Sequence, residues 1–339
     1  MHASEKLGDG ANDSDVLPVT AALLLLSHGL DCLRRGAMGE ALEAMLAIRA
    51  LDTDLGDHTV TALAVTVHLH LARGDVREAS TAALELVNHA DTAGREGGRA
   101  HVALGELAAA LGDHYQAAAH YRTAGALAQE YDPQVPWRTG LAQVLVSTGL
   151  AAEAVAVAEE EQELALACGS PYAVAAARRT LAAVGPITDR IGLLRAALAA
   201  LDGGSAQRLD AQLRTDLAGL LMLTPEVDTS EPVRLLRTAE AYALREDLWP
   251  LQSRAQRLLG RLGERPSDPA LDAAHSLTGT ERRVASLVVK GSRNKDVAVE
   301  LGVSVKAIEW HLSRIYRKLT ITSRGQLAAA LGDSVVVPV

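Results

Sequence analysis

One short sequence motif occurs four times in the first half of the chain at almost constant spacing, and it constrains the fold more strongly than any other feature. Each copy places an alanine five residues after a glycine. The glycines, which are 38, 38 and 37 residues apart, are Gly36, Gly74, Gly112 and Gly149. Apolar residues precede them at helical spacing, as in Leu63, Val67 and Leu71. Because glycine can end a helix in a left-handed cap, and an Asp can begin the next one, each repeat predicts a helix hairpin.

Weaker copies near Gly185 and Thr224 extend the pattern to five or six hairpins. One hairpin cannot bury its apolar face alone, whereas stacked hairpins share a continuous core. The chain has no Phe and only 3% aromatic residues, which favours close-packed helices over a β-sandwich. The Gly-Asp-x-x-x-Ala motif resembles the tetratricopeptide repeat (TPR), although its period is longer than the ~34 residues of that family. We therefore predict an all-α fold that begins with a TPR-like α-solenoid.

The solenoid region offers little support for an enzyme. No phosphate-binding G-x-x-x-x-G-K-[ST] motif occurs, and the glycines of 94–98 lack its lysine. His68 and His70 are two residues apart and point to different sides of a helix, which disfavours a metal site. Cys32 and Cys168 are far apart and are expected to be reduced thiols. We predict no catalytic residue, no metal and no cofactor.

The charge of the chain is strongly segregated. The formal net charge is −9, yet residues 276–331 contain ten basic and four acidic residues, a balance of +6. Residues 1–275 carry −14. Pro266 and Pro269 mark a linker between the two parts. The expected organisation is a disordered tail (1–15), the repeat domain (16–262), a linker (263–275), a basic domain (276–332) and a second tail (333–339).

The basic domain carries clear helix signals. Thr278 and Glu281 form a T-x-x-E capping box before a helix that ends at Gly291. A second helix is capped by Ser292, and a third runs from Ser304 to about residue 319. A short helix joined to a longer one by a Gly-containing turn is the helix-turn-helix arrangement, whose second member enters the DNA major groove.

The predicted third helix has two faces. The apolar stripe, expected in the core, is Val305, Ile308, Leu312, Ile315 and Leu319. The opposite face is polar and aromatic, and its Arg and Lys can bond guanine or phosphate, while Glu309 can accept from cytosine. Trp310 can contact a thymine methyl group. The predicted base contacts are Lys306, Glu309, Trp310, Ser313 and Arg317.

A known family shares these residues in order. Leu277-Thr278-x-x-Glu281, Gly291-Ser292-x-Asn294-Lys295 and Ile308-Glu309-x-His311-Leu312-Ser313-Arg314 closely resemble the LuxR-type DNA-binding domain. The resemblance implies a four-helix domain that binds two-fold symmetric DNA as a dimer, often through its last helix. We expect DNA-backbone contacts from Ser292, Asn294, Lys295, Ser304, His311, Arg314, Lys318 and Arg324. The expected dimer contacts are Gln326, Leu327 and Leu331.

The whole arrangement is similar to the back half of the large ATP-binding LuxR regulators of actinomycetes and of MalT-like activators. Without their nucleotide-binding part, ATP control does not carry over. We predict a cytoplasmic, homodimeric transcription regulator that binds double-stranded promoter DNA, works with RNA polymerase and activates a biosynthetic gene cluster. Its repeat domain would sense a small molecule or protein. The alternatives are a repressor of the same architecture, or a repeat scaffold whose helix-turn-helix docks protein.

The opposite charges of the two parts suggest a regulatory hypothesis. The acidic body is expected to lie against the basic domain at rest and to weaken DNA binding until a ligand or partner releases it.

Overall fold

The structure is a computed structural model, and it describes residues 13–128, 130–186, 189–201, 206–224, 228–264, 277, 279–301 and 305–331. Seventeen α-helices and no strands occur in these ranges, which confirms the all-α prediction. Tail residues 1–12 and 333–339, linker residues 265–275 and the predicted caps Thr278 and Ser304 lie outside the described residues. The first helix begins at Asp13, within the segment predicted to be a tail.

Thirteen of the helices in the described ranges form the repeat body. The first six are α1 (Asp13–Arg35), α2 (Met38–Leu51), α3 (Thr59–Arg73), α4 (Val76–Val87), α5 (Gly94–Ala110) and α6 (His114–Leu127). The others are α7 (Trp137–Ser147), α8 (Ala151–Cys168), α9 (Pro171–Val184), α10 (Arg190–Ala200), α11 (Gln207–Leu221), α12 (Ser230–Arg245) and α13 (Trp249–Arg261). Consecutive helices pack as antiparallel pairs, so the predicted hairpins are present.

The repeated glycines end the first helix of each of four hairpins. Gly36, Gly74, Gly112 and Gly149 have φ of 88°, 82°, 85° and 82°. The left-handed cap predicted from the sequence is therefore present at all four. The weaker copy at Gly185 differs, because its φ is −77°. The side chain of Asp113 caps α6, whereas Asp75 makes no such bond and pairs with Arg73 instead.

Small side chains build the core between hairpins. Between α3, α4 and α5, the buried residues are Val60, Val67, Ala79, Ala82, Ala83, Leu86, Ala100, Ala103 and Leu104. Alanine lets helix backbones approach closely, so the absence of Phe is compatible with a continuous core.

The end of the repeat body returns to its beginning. Tyr242 on α12 donates a hydrogen bond of 2.7 Å to the carbonyl oxygen of Gly36. Ala211, Ala239 and Leu248 share one hydrophobic cluster with α1, α2 and α3. This closure places the turn between α12 and α13 beside the end of α3, which positions the site described below.

The C-terminal domain has its own core. It comprises α14 (Gly279–Val289), α15 (Asn294–Leu301), α16 (Val305–Lys318), a 3₁₀ turn (Arg324–Gln326) and α17 (Leu327–Leu331). The fully or nearly buried side chains are Leu277, Val284, Ala285, Val288, Val297, Ala298, Ile308, Leu312, Ile315, Leu319, Leu327 and Leu331. The backbone N–H of Arg293 donates to Asp296 at the start of α15, so this helix begins two residues after the predicted cap Ser292.

One stretch of α1 meets the length and composition of a membrane span. It covers Leu17–Arg35, with a mean hydropathy of 1.2. In the structure Ala22, Leu26 and Cys32 from this stretch are buried in the cluster that joins α1 to α2 and α3.

Candidate nucleic-acid interface

Helix α16 is the second helix of the helix-turn-helix pair, and its apolar stripe lies inward as predicted. Ile308, Leu312 and Ile315 are buried in a core shared with α14, α15 and α17. Val305 is an exception, because it is the first residue of the helix and remains 39% exposed. The stripe fixes the rotation of α16 and thereby decides which side chains face outward.

Four of the five predicted base-contact residues are exposed. They are Lys306, Glu309, Ser313 and Arg317. The Ser313 hydroxyl donates to the Glu309 carbonyl oxygen at 2.9 Å, and Arg317 remains 60% exposed although it also pairs with Asp247. These side chains offer a cation, a carboxylate and a hydroxyl along one helix face, which is a mixed set suited to base edges.

Trp310, the fifth, is half-buried against the repeat body. It packs on the cluster formed by α1, α2, α3 and α12. The guanidinium of Arg314 lies 4.4 Å from its ring centroid, and that of Arg73 lies 5.6 Å away, so both make cation–π contacts. The sequence placed this ring on a free surface; the structure places it in an interdomain contact.

Asp247, in the turn between α12 and α13, is the centre of the interdomain contact. Its Oδ2 contacts Arg73 and Arg317, and lies 3.4 Å from Nε of Arg314. Two of these cations belong to α16, and Arg73 belongs to the body. Burial lowers the pKa of Arg73, and the nearby charge of Arg314 lowers it further. One carboxylate thus holds together three guanidinium groups that would otherwise repel one another.

Lys318 strengthens the contact at the end of α16. Its Nζ donates to the Arg245 carbonyl oxygen at 2.6 Å and to Oε2 of Glu281 at 2.8 Å. Burial lowers the pKa of Lys318, while Glu281 opposes this effect. Glu281 also lies 3.3 Å from Nε of Arg314, so it orients two cations of α16 besides its predicted place in a capping box.

His311 is buried between its own domain and α2. Its Nδ1 lies 3.6 Å from Oε1 of Glu43. Burial lowers the pKa of His311 to about 4, and the charges of Arg314 and Lys318 act in the same direction. This imidazole is therefore neutral at pH 7 and faces the body rather than solvent. Three of the predicted backbone contacts, His311, Arg314 and Lys318, are thus covered in this structure.

The remaining predicted backbone contacts, apart from Ser304, which lies outside the described residues, are found around the start of α15. Lys295 is exposed, and Ser292 and Asn294 are half-buried. Arg324 donates to Oδ1 of Asn294 at 3.2 Å and to the carbonyl oxygen of Ser292. Arg324 therefore ties the last turn of the domain to the loop before α15, and any phosphate contact would be additional to this role.

The predicted dimer contacts divide between core and surface. Leu327 and Leu331 are 0% and 4% exposed and fill the domain core, so their side chains are not on the surface. Gln326 is exposed, but its Oε1 accepts from the backbone N–H of Thr322 and Ser323. The outer face of α17 is formed instead by Ala328 and Ala329. Dimerisation through this helix stays a prediction.

A cavity of about 790 Å³ lies next to the interdomain contact. Helices α2, α3 and α4 form most of it, and α16 closes one end with Trp310, Ser313, Arg314 and Arg317. Sequence reasoning missed both the cavity and the body residues Glu43, Arg73 and Asp247. Arg73 belongs to the repeated motif, but no local pattern indicates that its charge meets a distant domain.

One group of described residues brings three metal-type ligand atoms within 4.8 Å of one another: His28, Cys32 and Glu40. Arg35 Nη2 also lies 3.5 Å from the Cys32 sulfur. Burial and Glu40 raise the pKa of the Cys32 thiol. A guanidinium beside a protonated thiol is a poor setting for a cation.

The fold and site define a helical-repeat body joined to a helix-turn-helix domain. Residues 275–331 match the family described as "Bacterial regulatory proteins, luxR family", so this part of the chain is a LuxR-type helix-turn-helix domain. Over 52 residues the chain is 50% identical to proteins named HTH-type transcriptional regulators in Mycobacterium tuberculosis and Mycobacterium bovis. The aligned segment covers 15% of this chain and 6% of those relatives.

The structural comparison also aligns this chain with a solved structure described as a complex of the TPR2AB domain of yeast Sti1 with pHSP90. The alignment covers 70% of this chain and 98% of the Sti1 chain. The TM-score is 0.27 and the sequence identity 13%. The TPR-like character of the body rests on its own hairpins and repeated glycines.

Proposed function

We propose that this protein is a DNA-binding transcription regulator that reads promoter DNA with α16. The observation that carries the proposal is the exposed polar row of Lys306, Glu309, Ser313 and Arg317 on the second helix of a LuxR-type domain. The domain has its own hydrophobic core, which holds this row on a rigid helix. A helix presented in this way suits the major groove.

The conformation described here is the closed state of such a regulator. Trp310, Arg314 and Lys318 lie against the repeat body, so the body occupies much of the face that α16 would present to DNA. DNA and the body therefore compete for the same side chains. This competition supports the hypothesis, drawn from charge segregation, that the body weakens DNA binding when it lies against the basic domain.

Replacement of Asp247 by Asn tests the proposal in the full-length protein. Asp247 has a φ of 60°, a conformation that Asn tolerates well, so the turn is expected to survive. Loss of the carboxylate charge weakens the contacts to Arg73, Arg314 and Arg317 and should favour the open state. We expect DNA affinity to rise five- to hundredfold, equivalent to about 1–3 kcal/mol.

The matched control is Asp216→Asn. Asp216 also bridges two arginines, Arg179 and Arg254, but it does so within the repeat body. Affinity would be measured by fluorescence anisotropy on a duplex found by genome-wide mapping of bound DNA. Equal affinity of both variants and the wild type would contradict the closed state, whereas absence of any DNA binding would contradict the function itself.

Localisation, oligomeric state, partners and target genes are proposed from the sequence. The protein would act in the cytoplasm as a homodimer without enzymatic activity, contact RNA polymerase and activate a biosynthetic gene cluster. A repressor would differ only in where its site lies relative to the promoter. Genome-wide mapping combined with transcript levels after deletion of the gene separates these outcomes. In the scaffold alternative, Lys306→Ala would leave function unchanged.

A further inference from the structure

The cavity beside the interdomain contact combines an apolar floor with a cationic end. Met45 and Ile48 from α2, Leu55, and Ala62 and Leu63 from α3 supply the floor. At one end, Arg73 of the body and Arg314 of α16 lie on the wall with Trp310. The volume of about 790 Å³ is in the range of small-molecule sites, which typically combine apolar walls with few polar groups.

The two arginines at this end carry N–H groups without an acceptor. Their side chains are each only 3% exposed. Nη1 of Arg73, and both Nη1 and Nη2 of Arg314, make no hydrogen bond among the described residues. Buried donors without acceptors are unfavourable, and charged ones especially so. A group that supplies acceptor oxygens at this point would satisfy them.

Three of the four acidic residues of the cavity wall have ion-pair partners, and the fourth, Asp52, is exposed. Glu85 pairs with Arg49 at 2.6 Å, and Glu78 pairs with Arg77 at 3.1 Å. Asp75 pairs with Arg73 through Nε, which leaves Nη1 of Arg73 unused. Among the cavity-lining side chains, the buried polar atoms without a hydrogen-bond partner are Nδ1 of His70, Nη1 of Arg73 and three nitrogens of Arg314. Most of them are N–H donors of guanidinium groups, and an anion would supply acceptors for them.

We propose that this cavity binds a small amphiphilic anion, with its carboxylate or phosphate group on Arg73 and Arg314 and its apolar part on the floor of α2 and α3. A planar guanidinium pair can hold several oxygens of such a head group. The apolar part would cover Met45, Ile48 and Leu63.

The site also assigns a direction of regulation, which rests on the proposed function. Because the anion contacts both the body and α16, it binds the closed state and stabilises it. This direction is opposite to the release by a ligand that was expected from charge segregation. Ligand and DNA then exclude each other, and linkage requires each to lower the affinity of the other by the same factor.

The first experiment measures binding without DNA. Isothermal titration calorimetry of the full-length protein would use decanoate and decyl phosphate as probes, with decanol and decylamine as controls that share the chain but lack the negative charge. We expect saturable binding of at least one anionic probe at one site per protomer, and at least tenfold weaker binding of both controls. Equal binding of decylamine, or no saturable binding of either anion below 1 mM as a practical limit, would overturn the proposal.

Two variants and a control locate the site. Arg73→Gln removes a cation of the head-group end, and Thr66→Tyr fills the cavity from its wall without changing any charge. Arg99→Gln is the control, since Arg99 is a half-buried arginine of the body that lies outside the cavity. We expect at least tenfold weaker anion binding in the first two variants and no change in the third. Circular dichroism checks that each is folded, and wild-type affinity in a folded Thr66→Tyr variant would contradict the site.

A final titration separates this proposal from the proposed function. The anion that binds more tightly is added to a complex of the protein with its mapped DNA. We expect saturating anion to weaken DNA binding at least fivefold in the wild type, and to have no effect in Thr66→Tyr. Anion binding that leaves DNA affinity unchanged would refute the regulatory link alone, while a protein that binds the anion but no DNA would refute the DNA-binding function alone.

Discussion

Gly36 occupies the most crowded of the repeated glycine positions. A Cβ at this position would lie 2.8 Å from the backbone nitrogen of Arg208 and 3.0 Å from the hydroxyl oxygen of Tyr242. Gly112 has almost the same φ, but a Cβ there would meet nothing within 4 Å. The two positions share one conformational requirement and differ in their surroundings, because only Gly36 lies where α11 and α12 return to α1.

This difference predicts unequal losses of stability. Gly112→Ala should cost about 1 kcal/mol, the cost of a left-handed conformation in a residue with a Cβ. Gly36→Ala should cost about 2–4 kcal/mol, because the clash with Arg208 and Tyr242 adds to that cost. Urea denaturation followed by circular dichroism measures both free energies of unfolding. Equal losses would argue against close contact between the ends of the repeat body.

Replacement of Glu309 tests most directly whether α16 contacts base edges. It is exposed on α16, and nothing in the described contacts ties its carboxylate to the body. If it accepts from a cytosine N4, Glu309→Ala should relax the preference at one base pair by about 1–3 kcal/mol. Binding to a panel of duplexes with each base at each position would show the change. Lys295→Ala, at a predicted phosphate contact, should instead weaken binding to all duplexes alike.

Helix α16 faces three environments at once, and this explains its unusual side chains. Its apolar stripe joins the domain core. Its exposed row faces solvent, although Arg317 in that row also pairs with Asp247 of the body. Trp310, His311, Arg314 and Lys318 meet the body. Periodicity in the sequence distinguishes apolar from polar faces. It does not show that part of the polar face is covered by another domain.

The buried His311 makes the contact between α16 and α2 sensitive to pH. The groups facing it are Glu43 from α2, Glu281 from α14, and Arg314 and Lys318 from its own helix. Its pKa is about 4 in the closed state, below the ordinary value of 6.5. The closed state therefore has its full stability above pH 6.5, and loses it as the pH falls from 6.5 toward 4 and the open state takes up a proton.

At pH 5.5 this loss should reach about 1 kcal/mol. We expect the fluorescence of Trp310 to shift toward longer wavelength between pH 7.5 and 5.5 as the ring becomes exposed. The measurement requires a background in which Trp137 and Trp249 are replaced by Tyr. His311→Gln removes the titrating group, so an unchanged pH response in that variant would contradict the assignment.

Charge segregation governs the behaviour of the full chain. The formal charges of −14 and +6 place opposite fields on the two parts, and the ion pairs of Asp247 are one point where they meet. The same cations that bind the body are those available to phosphates. Affinity for DNA therefore depends on the balance between two negatively charged partners, one of which is always present.

The salt dependence of DNA affinity measures the electrostatic part of this balance. If a dimer neutralises about six to ten phosphates, DNA affinity of the open Asp247→Asn variant should fall by roughly 10³–10⁵ between about 50 and 200 mM salt. Lys295→Ala, at a predicted phosphate contact, should reduce the slope by about one ion per protomer in the same background. Fluorescence anisotropy over a salt series measures both slopes, and a flat response would count against phosphate-anchored binding.

Local sequence determined most of the architecture. The glycine spacing predicted the hairpins, and Ile308, Leu312 and Ile315 predicted the inward face of α16, because helix caps and helix periodicity depend only on neighbouring residues. Such reasoning fails for Val305, which was expected in the core and is exposed, and for Leu327, which was expected at a dimer surface and is buried. The burial of a residue near a helix end depends on which other segments of the chain pack against it.

The sequence by itself determined the helical repeat, the LuxR-type domain and the opposite charges of the two parts. Only the tertiary structure decided that Asp247 meets Arg73 and Arg317, that Trp310 lies against the body, and that a cavity results in which two buried arginines carry N–H groups without an acceptor. The physical reason is distance along the chain. The two ion pairs of Asp247 join residues 70 and 174 positions apart. They arise from the closure of the repeat body and the docking of α16, which no local pattern encodes.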